Sequence, residues 1–144
     1  MPYLGEEIKK LGFGLMRLPQ KDDAIDVDQV KQMVDRFMEA GFTYFDTAWA
    51  YAGSEDAIRK ALVERYPRES YQLATKNAAW INCKTREDAI SQFEQSLERT
   101  GAGYFDFYLL HNLGAGRTKF FEDFDMWNFV TDKKKEGKIR HIGF

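Results

Sequence analysis

The chain has one cysteine, Cys83, two histidines, and no apolar run that approaches a membrane span. A lone cysteine forbids an internal disulfide and suits a reducing compartment, here the cytoplasm. Two histidines and one cysteine are too few for a recognisable zinc or iron–sulfur ligand set, so no metal is expected. The opening residues, MPYLGEEIKKLGFG, lack the apolar core of a secretory leader. No stretch reaches the roughly 18 consecutive apolar residues of a spanning helix. Charge of one sign is scarce too: 21 basic side chains against 23 acidic ones leave a net charge of -2. That balance makes no electrostatic case for nucleic acid or an anionic membrane as partner. What remains is a 144-residue chain, 44% hydrophobic and 15% aromatic, which has the material for one folded core.

Along the chain a unit repeats. Residues 27–40 place Val30, Met33, Val34, Phe37 and Met38 on one helical face, and Gly41 follows as a stop. A second helix is expected after Ser54 as N-cap, with Ala57, Ile58, Ala61 and Leu62 inward and Pro67 as its end. A third opens near a capping box at Thr85-Arg-Glu-Asp88 and carries Ala89, Ile90, Phe93 and Leu97 to Gly101. A fourth, over residues 120–136, turns Phe121, Phe124, Trp127 and Val130 inward and ends at Gly137. Between them, residues 11–15, 42–47, 71–76, 104–111 and 138–144 read as strands rich in aliphatic and aromatic residues. Weak alternation in such runs fits strands covered on both faces of a parallel sheet, with each helix as a crossover.

The strands begin 29 to 34 residues apart. Eight such units make the roughly 250 residues of a (β/α)8 TIM barrel, and the 144 residues end inside the fifth. A five-stranded flavodoxin-like sheet has the same ingredients at this length, and pattern alone leaves the two nearly level. The polar residues separate them. Asp46 closes the second strand, Lys76 the third and His111 the fourth. In a barrel the carboxyl ends of successive strands line one mouth, where catalytic groups gather. Tyr51, five residues past Asp46, falls in the loop over that mouth. Singly, each has a plainer reading: a turn cap, a solvated strand end, a core histidine, a packed tyrosine. Four at matching positions argue for a shared site.

Those four side chains suit one kind of chemistry. A phenol is a weak acid near neutrality, with an ordinary value near ~10. An ammonium touching its hydroxyl favours the phenolate, and a carboxylate keeps the ammonium charged and aimed. A neutral imidazole can hold a carbonyl oxygen in place. The set fits protonation of a carbonyl oxygen while hydride reaches the carbon. None of these side chains can supply hydride, so a nicotinamide cofactor is implied.

Five motifs in order, Leu11-Gly-Phe-Gly-Leu-Met-Arg17, Phe45-Asp-Thr-Ala-Trp-Ala-Tyr51 with Ser54-Glu55, Ala74-Thr-Lys76, Asp106-Phe-Tyr-Leu-Leu-His111 and Gly137-Lys-Ile-Arg-His-Ile-Gly-Phe144, resemble the amino-terminal half of an aldo/keto reductase. The resemblance implies Tyr51 as proton donor, Lys76 as its electrostatic partner, Asp46 as support for the lysine and His111 as carbonyl orienter. It implies NADPH or NADH as cofactor and a small carbonyl compound as substrate. Leu15 and Met16, with Asp46, are the residues placed to touch the nicotinamide end. The family runs to about twice this length, so residues 1–144 read as the amino-terminal part of a barrel, truncated at the fifth strand. Such a segment is expected to be inactive alone, to lack most of the cofactor site, and to self-associate through its open edges. Residues 106–116 and 133–144 are similar to a bacterial branch with a carboxyl-terminal ferredoxin-like segment; no cluster is expected in this chain. Ala52, where the family commonly has glycine directly after the tyrosine, is a small departure.

Other features carry less. Gly12-Phe-Gly14 is followed by Arg17 where a dinucleotide fingerprint needs a third glycine, and Gly114-Ala-Gly116 lacks the lysine of a phosphate loop. Lys133, Lys134 and Lys135 complement a helix dipole. Trp49 and Trp80 follow the second and third strands and are candidates to wall a substrate pocket, with core packing an equal alternative. Two other functions stay open: a non-catalytic half-barrel, and a flavodoxin-like binding domain. Receiver domains of that second fold carry acidic residues at the first strand, and residues 11–18 have none.

Overall fold

A computed structural model describes residues 7–144. Residues 1–6, on which the leader reading partly rests, lie outside the described residues. The chain runs β1 (Gly12–Gly14), β2 (Gln20–Lys21), β3 (Ala24–Ile25), α1 (Val27–Glu39), β4 (Tyr44–Asp46) and α2 (Ser54–Ile58). It continues through β5 (Gln72–Asn77), α3 (Arg86–Thr100), β6 (Phe105–Leu110), α4 (Thr118–Asp123), α5 (Met126–Lys135) and β7 (Ile139–Gly143).

Among the described residues, five strands form one sheet in the order β1-β4-β5-β6-β7, and every pair is parallel. Strands adjacent in the chain's main repeat are adjacent in space. A doubly wound sheet reverses its strand order, and this one does not, so the fold is a partial (β/α)8 barrel. One sheet face is dry: Phe45, Leu73, Tyr108 and Leu110 are fully buried against Val30 and Val34 of α1, Phe93 of α3 and Val130 of α5. The opposite face carries Tyr44, Gln72, Phe107 and His141, all half-buried, with Phe107 5.5 Å from Tyr44 and 5.1 Å from His141. Side chains at i and i+2 share a face. Asp46, Lys76 and His111 therefore lie on this second face, at its carboxyl end.

The expected caps hold in part. Thr85 Oγ1 accepts from Asp88 N–H at 3.1 Å while Asp88 Oδ2 accepts from Thr85 N–H at 3.0 Å, a complete capping box on α3. Ser54 differs, because it is the first residue of α2 and not its cap. Gly53, at φ 71, makes the entry turn, a left-handed conformation that glycine adopts without strain. The freed Ser54 hydroxyl donates to Leu15 carbonyl at 2.9 Å and meets Thr47 Oγ1 at 2.7 Å, tying α2 to β1 and β4. After Ile58 the helix widens into a π-helical turn over Arg59–Val63.

Three further differences have physical causes. The β2–β3 hairpin was not expected; it turns on Asp22 and Asp23, both with positive φ, the two-residue geometry that favours Asn and Gly. The helix expected over residues 120–136 is two helices. A continuous helix from Phe121 would aim Asp125, Asn128 and Asp132 at the core. A left-handed Asp125 at φ 52 resets the face so that Met126, Phe129 and Val130 go inward and Trp127 goes out. Met33, expected inward on α1, sits on the flank of a face centred on Val30 and Val34, and is 38% exposed. No helix of the described residues is long and apolar enough to cross a membrane.

Candidate active site

Strand β4 ends on Asp46, and the loop after it is stitched to β5 by main-chain bonds. Thr47 N–H donates to Ala74 carbonyl at 2.9 Å and Trp49 N–H to Lys76 carbonyl at 3.2 Å. Tyr51 then closes a turn onto Ala48, and Ser54 N–H onto Tyr51 carbonyl. The tyrosine thus stands on a short loop anchored at both ends. His111 follows β6, with its N–H held by Asn77 carbonyl at 2.8 Å and its carbonyl accepting from Trp80 Nε1–H at 2.9 Å.

The four expected polar residues converge. Lys76 Nζ donates to Asp46 Oδ1 at 2.6 Å and to Thr47 carbonyl at 2.7 Å. The same ammonium lies 4.9 Å from the Tyr51 ring centroid. The Tyr51 and His111 rings meet edge to face at 5.7 Å. Lys76 is 13% exposed and Asp46 30%, so the pair is shielded without being sealed. Burial first, then the charges of Lys76 and Arg117, push His111 below the ordinary histidine value, with Asp46 opposing. The imidazole is therefore neutral near pH 7, and its buried Nδ1 has no partner among the described residues. Tyr44, two residues before Asp46, is the other phenol near this pair, but burial and then the Asp46 charge push it up to about 12. It is unsuited to donate a proton.

A cavity of about 570 Å³ opens beside these groups, walled by Met16, Tyr51, Trp80, Ile81, His111 and Asn112. Trp80, a candidate to wall a substrate pocket, lines this cavity, edge-on to His111 at 6.1 Å. Trp49 does not line this cavity. Its indole N–H donates to Gln95 Oε1 at 3.0 Å and its ring lies under Arg99, so it backs the tyrosine loop against α3. Leu15 is also displaced from its expected place at the mouth: its side chain is fully buried in the core. Met16, 62% exposed, is the first-turn residue that opens on the cavity.

Some contributors are hidden from sequence reasoning. The Thr47 carbonyl is a backbone acceptor with no residue signature. Ile81 and Asn112 sit in loops without periodicity. Glu55 is buried beneath the tyrosine loop, accepting from Thr75 Oγ1–H at 2.7 Å with Arg99 at 3.5 Å. Burial raises its carboxyl above the ordinary value, against the pull of Thr75 and Arg99. Its signal was only its place after Ser54.

A model of the aldo/keto reductase family matches residues 10–144. An aldo-keto reductase of Mycolicibacterium smegmatis is 29% identical over 139 residues, covering 96% of this chain and 46% of that protein. A Bombyx mori aldo-keto reductase in complex with NADP superposes with a TM-score of 0.68 at 26% identity, over 92% of this chain and 45% of that one. A Klebsiella pneumoniae aldo-keto reductase in complex with NADPH gives a TM-score of 0.69 at 26% identity, over 94% and 45%. The chain spans about half the length of the curated relatives it matches.

Proposed function

The chain belongs to the aldo/keto reductase family, and on that premise we propose that it carries the proton-donating half of a nicotinamide-dependent carbonyl reductase. The observation that supports this best is the single ammonium of Lys76, held by Asp46 and poised over the Tyr51 ring, with a neutral His111 edge-on to that ring.

A reduced nicotinamide, when bound, supplies the hydride that reaches the carbonyl carbon. NADPH is the proposed donor because two similar structures hold NADP or NADPH. Met16 and Asp46 fit its reacting end, one as an exposed apolar surface and the other at the strand terminus beside Tyr51. As the C=O pair shifts to oxygen, Tyr51 Oη gives that oxygen its proton. Lys76 stabilises the negative charge left on the phenol oxygen, and Asp46 and the Thr47 carbonyl keep the ammonium in place. A neutral His111 has one ring N–H to donate to the carbonyl oxygen, fixing it before proton transfer.

Residues 1–144 are proposed to be the amino-terminal part of the barrel, with the rest of the cofactor surface on units beyond β7. β1 and β7 each have one neighbour in the sheet, and such edges recruit other strands. The 144-residue chain alone is accordingly proposed to self-associate and to be inactive; monodisperse 16.8 kDa scattering, or saturable NADPH oxidation by it, would refute the respective claim. The free Cys83 fits a cytoplasmic setting. For the reaction itself the test is NADPH oxidation by the closed barrel with short aldehydes. Turnover that requires Tyr51 supports the assignment, and turnover indifferent to Tyr51→Phe refutes it.

A further inference from the structure

Resting on the carbonyl-reduction reading above, we propose that the substrate is an oxo-acid whose carboxylate is received by Arg117, stacked on the Trp80 wall of the Tyr51–His111 cavity. Arg117 lies in the loop between β6 and α4, which also brings Asn112 to the cavity. Its guanidinium stacks on the Trp80 ring, 4.4 Å from the centroid. The same indole forms the cavity wall and donates its N–H to His111 carbonyl. Trp80 therefore touches both His111, where the carbonyl is held, and a cation.

Among the described residues the Arg117 guanidinium makes no ion pair and no side-chain hydrogen bond. The other arginines that stack on rings, Arg65, Arg68, Arg99 and Arg140, each also hold a carboxylate. Stacking on a flat ring leaves the edge of the guanidinium free, and that edge presents paired N–H donors matched to a carboxylate. The Met16, Ile81 and Trp80 walls are apolar, so they suit the carbon chain between the two polar ends. A single cation matches the single charge of a carboxylate, whereas a phosphate dianion calls for more donors.

The test compares succinic semialdehyde with butanal, equal in carbon number and differing in the carboxylate, as the ratio of kcat/KM in the closed barrel. The expected ratio favours the acid at least tenfold and falls as salt is raised, since the cation faces solvent. Arg117→Met should bring the ratio close to one, and Arg117→Lys should keep part of it, because charge survives without the planar fork. A wild-type ratio near one, or a ratio that Arg117→Met leaves in place, overturns the proposal. Absence of turnover with both aldehydes would instead refute the carbonyl-reduction reading. Succinate binding, read by indole fluorescence with Trp80→Phe identifying the reporter, then decides the carboxylate site by itself. Quenching lost in Arg117→Met sustains it; no quenching, or stronger competition by inorganic phosphate than by succinate, overturns it.

Discussion

The two ends of the same parallel strands each carry a carboxylate paired with cations and flanked by tyrosines, yet they differ in what is left over. At the amino end, Asp106 is 4% exposed and its oxygens are fully engaged. Oδ2 accepts from Arg68 at 2.8 Å and Leu73 N–H at 2.9 Å, and Oδ1 accepts from Arg140 at 3.1 Å. Arg68 spends its remaining donors on the carbonyls of Ala102, Tyr71 and Tyr104. Its guanidinium lies between the rings of Tyr71 and Tyr104, and Arg140 covers Tyr104 as well. At the carboxyl end, Lys76 and Asp46 satisfy each other, but Tyr51 and His111 line an open cavity and make no side-chain hydrogen bond among the described residues. A carboxylate whose oxygens are all engaged in this way can only hold strands together. An unsatisfied cluster, held still by its neighbours, has capacity left for a substrate.

The sharpest way to break this contrast is at the open end. Tyr51→Phe in the closed barrel is expected to lower carbonyl reduction by about 10²–10⁴-fold, the usual range for a lost general acid. Its melting temperature and NADPH affinity should stay near wild type; a parallel loss of stability would make Tyr51 structural. At the closed end the expectation reverses. Asp106→Asn leaves Arg68 and Arg140 without their counter-charge and should cost about 3 kcal/mol in urea unfolding, at the low end for a buried pair because Arg140 is half exposed. Its folded fraction should turn over normally, so a kcat loss without destabilisation would refute the division of roles.

Lys76→Met tests the shared case. With Asp46 30% exposed and able to take up water, the stability cost should be about 1 kcal/mol or less. The rate loss should be non-additive with Tyr51→Phe, because the ammonium acts through the phenol. Additive losses would mean that it acts elsewhere. The smallest effect is the pH response of His111. Its titration by NMR should fall below about 6.5. A depressed value in the folded state adds stability above the unfolded value and loses it as pH drops through the folded one. Urea midpoints should therefore decline on acidification less steeply in His111→Gln than in wild type. A midpoint for His111 above the ordinary value would contradict its burial.

The barrel and the four polar residues were legible because they rest on period and position. Strand spacing near 30 residues and ionisable side chains at three strand ends survive any small error in element boundaries. What stayed hidden depends on geometry that side-chain identity does not encode. Asp22 and Asp23 form a hairpin turn that Asn-Gly would have announced. Asp125 breaks a helix by its backbone angle, although no glycine or proline marks the site. Trp49 and Trp80 occupy equivalent places after successive strands, and only the partners of their indole N–H groups, Gln95 and the His111 carbonyl, send one behind the loop and the other to the cavity. Leu15 shows the same limit, since a strand-end position does not say which way a side chain turns.

The bond from Trp80 to the His111 backbone couples two traits that selection would otherwise tune separately. Any replacement that reshapes the pocket at Trp80 also removes the donor that holds the His111 backbone carbonyl, so a new specificity there begins with an activity deficit. Met16, exposed at the same cavity with its side chain engaged in no hydrogen bond among the described residues, holds none of the four polar residues in place. Diversification of this pocket should therefore run through position 16 first, and changes at position 80 should become tolerable only in backgrounds where another group already restrains His111.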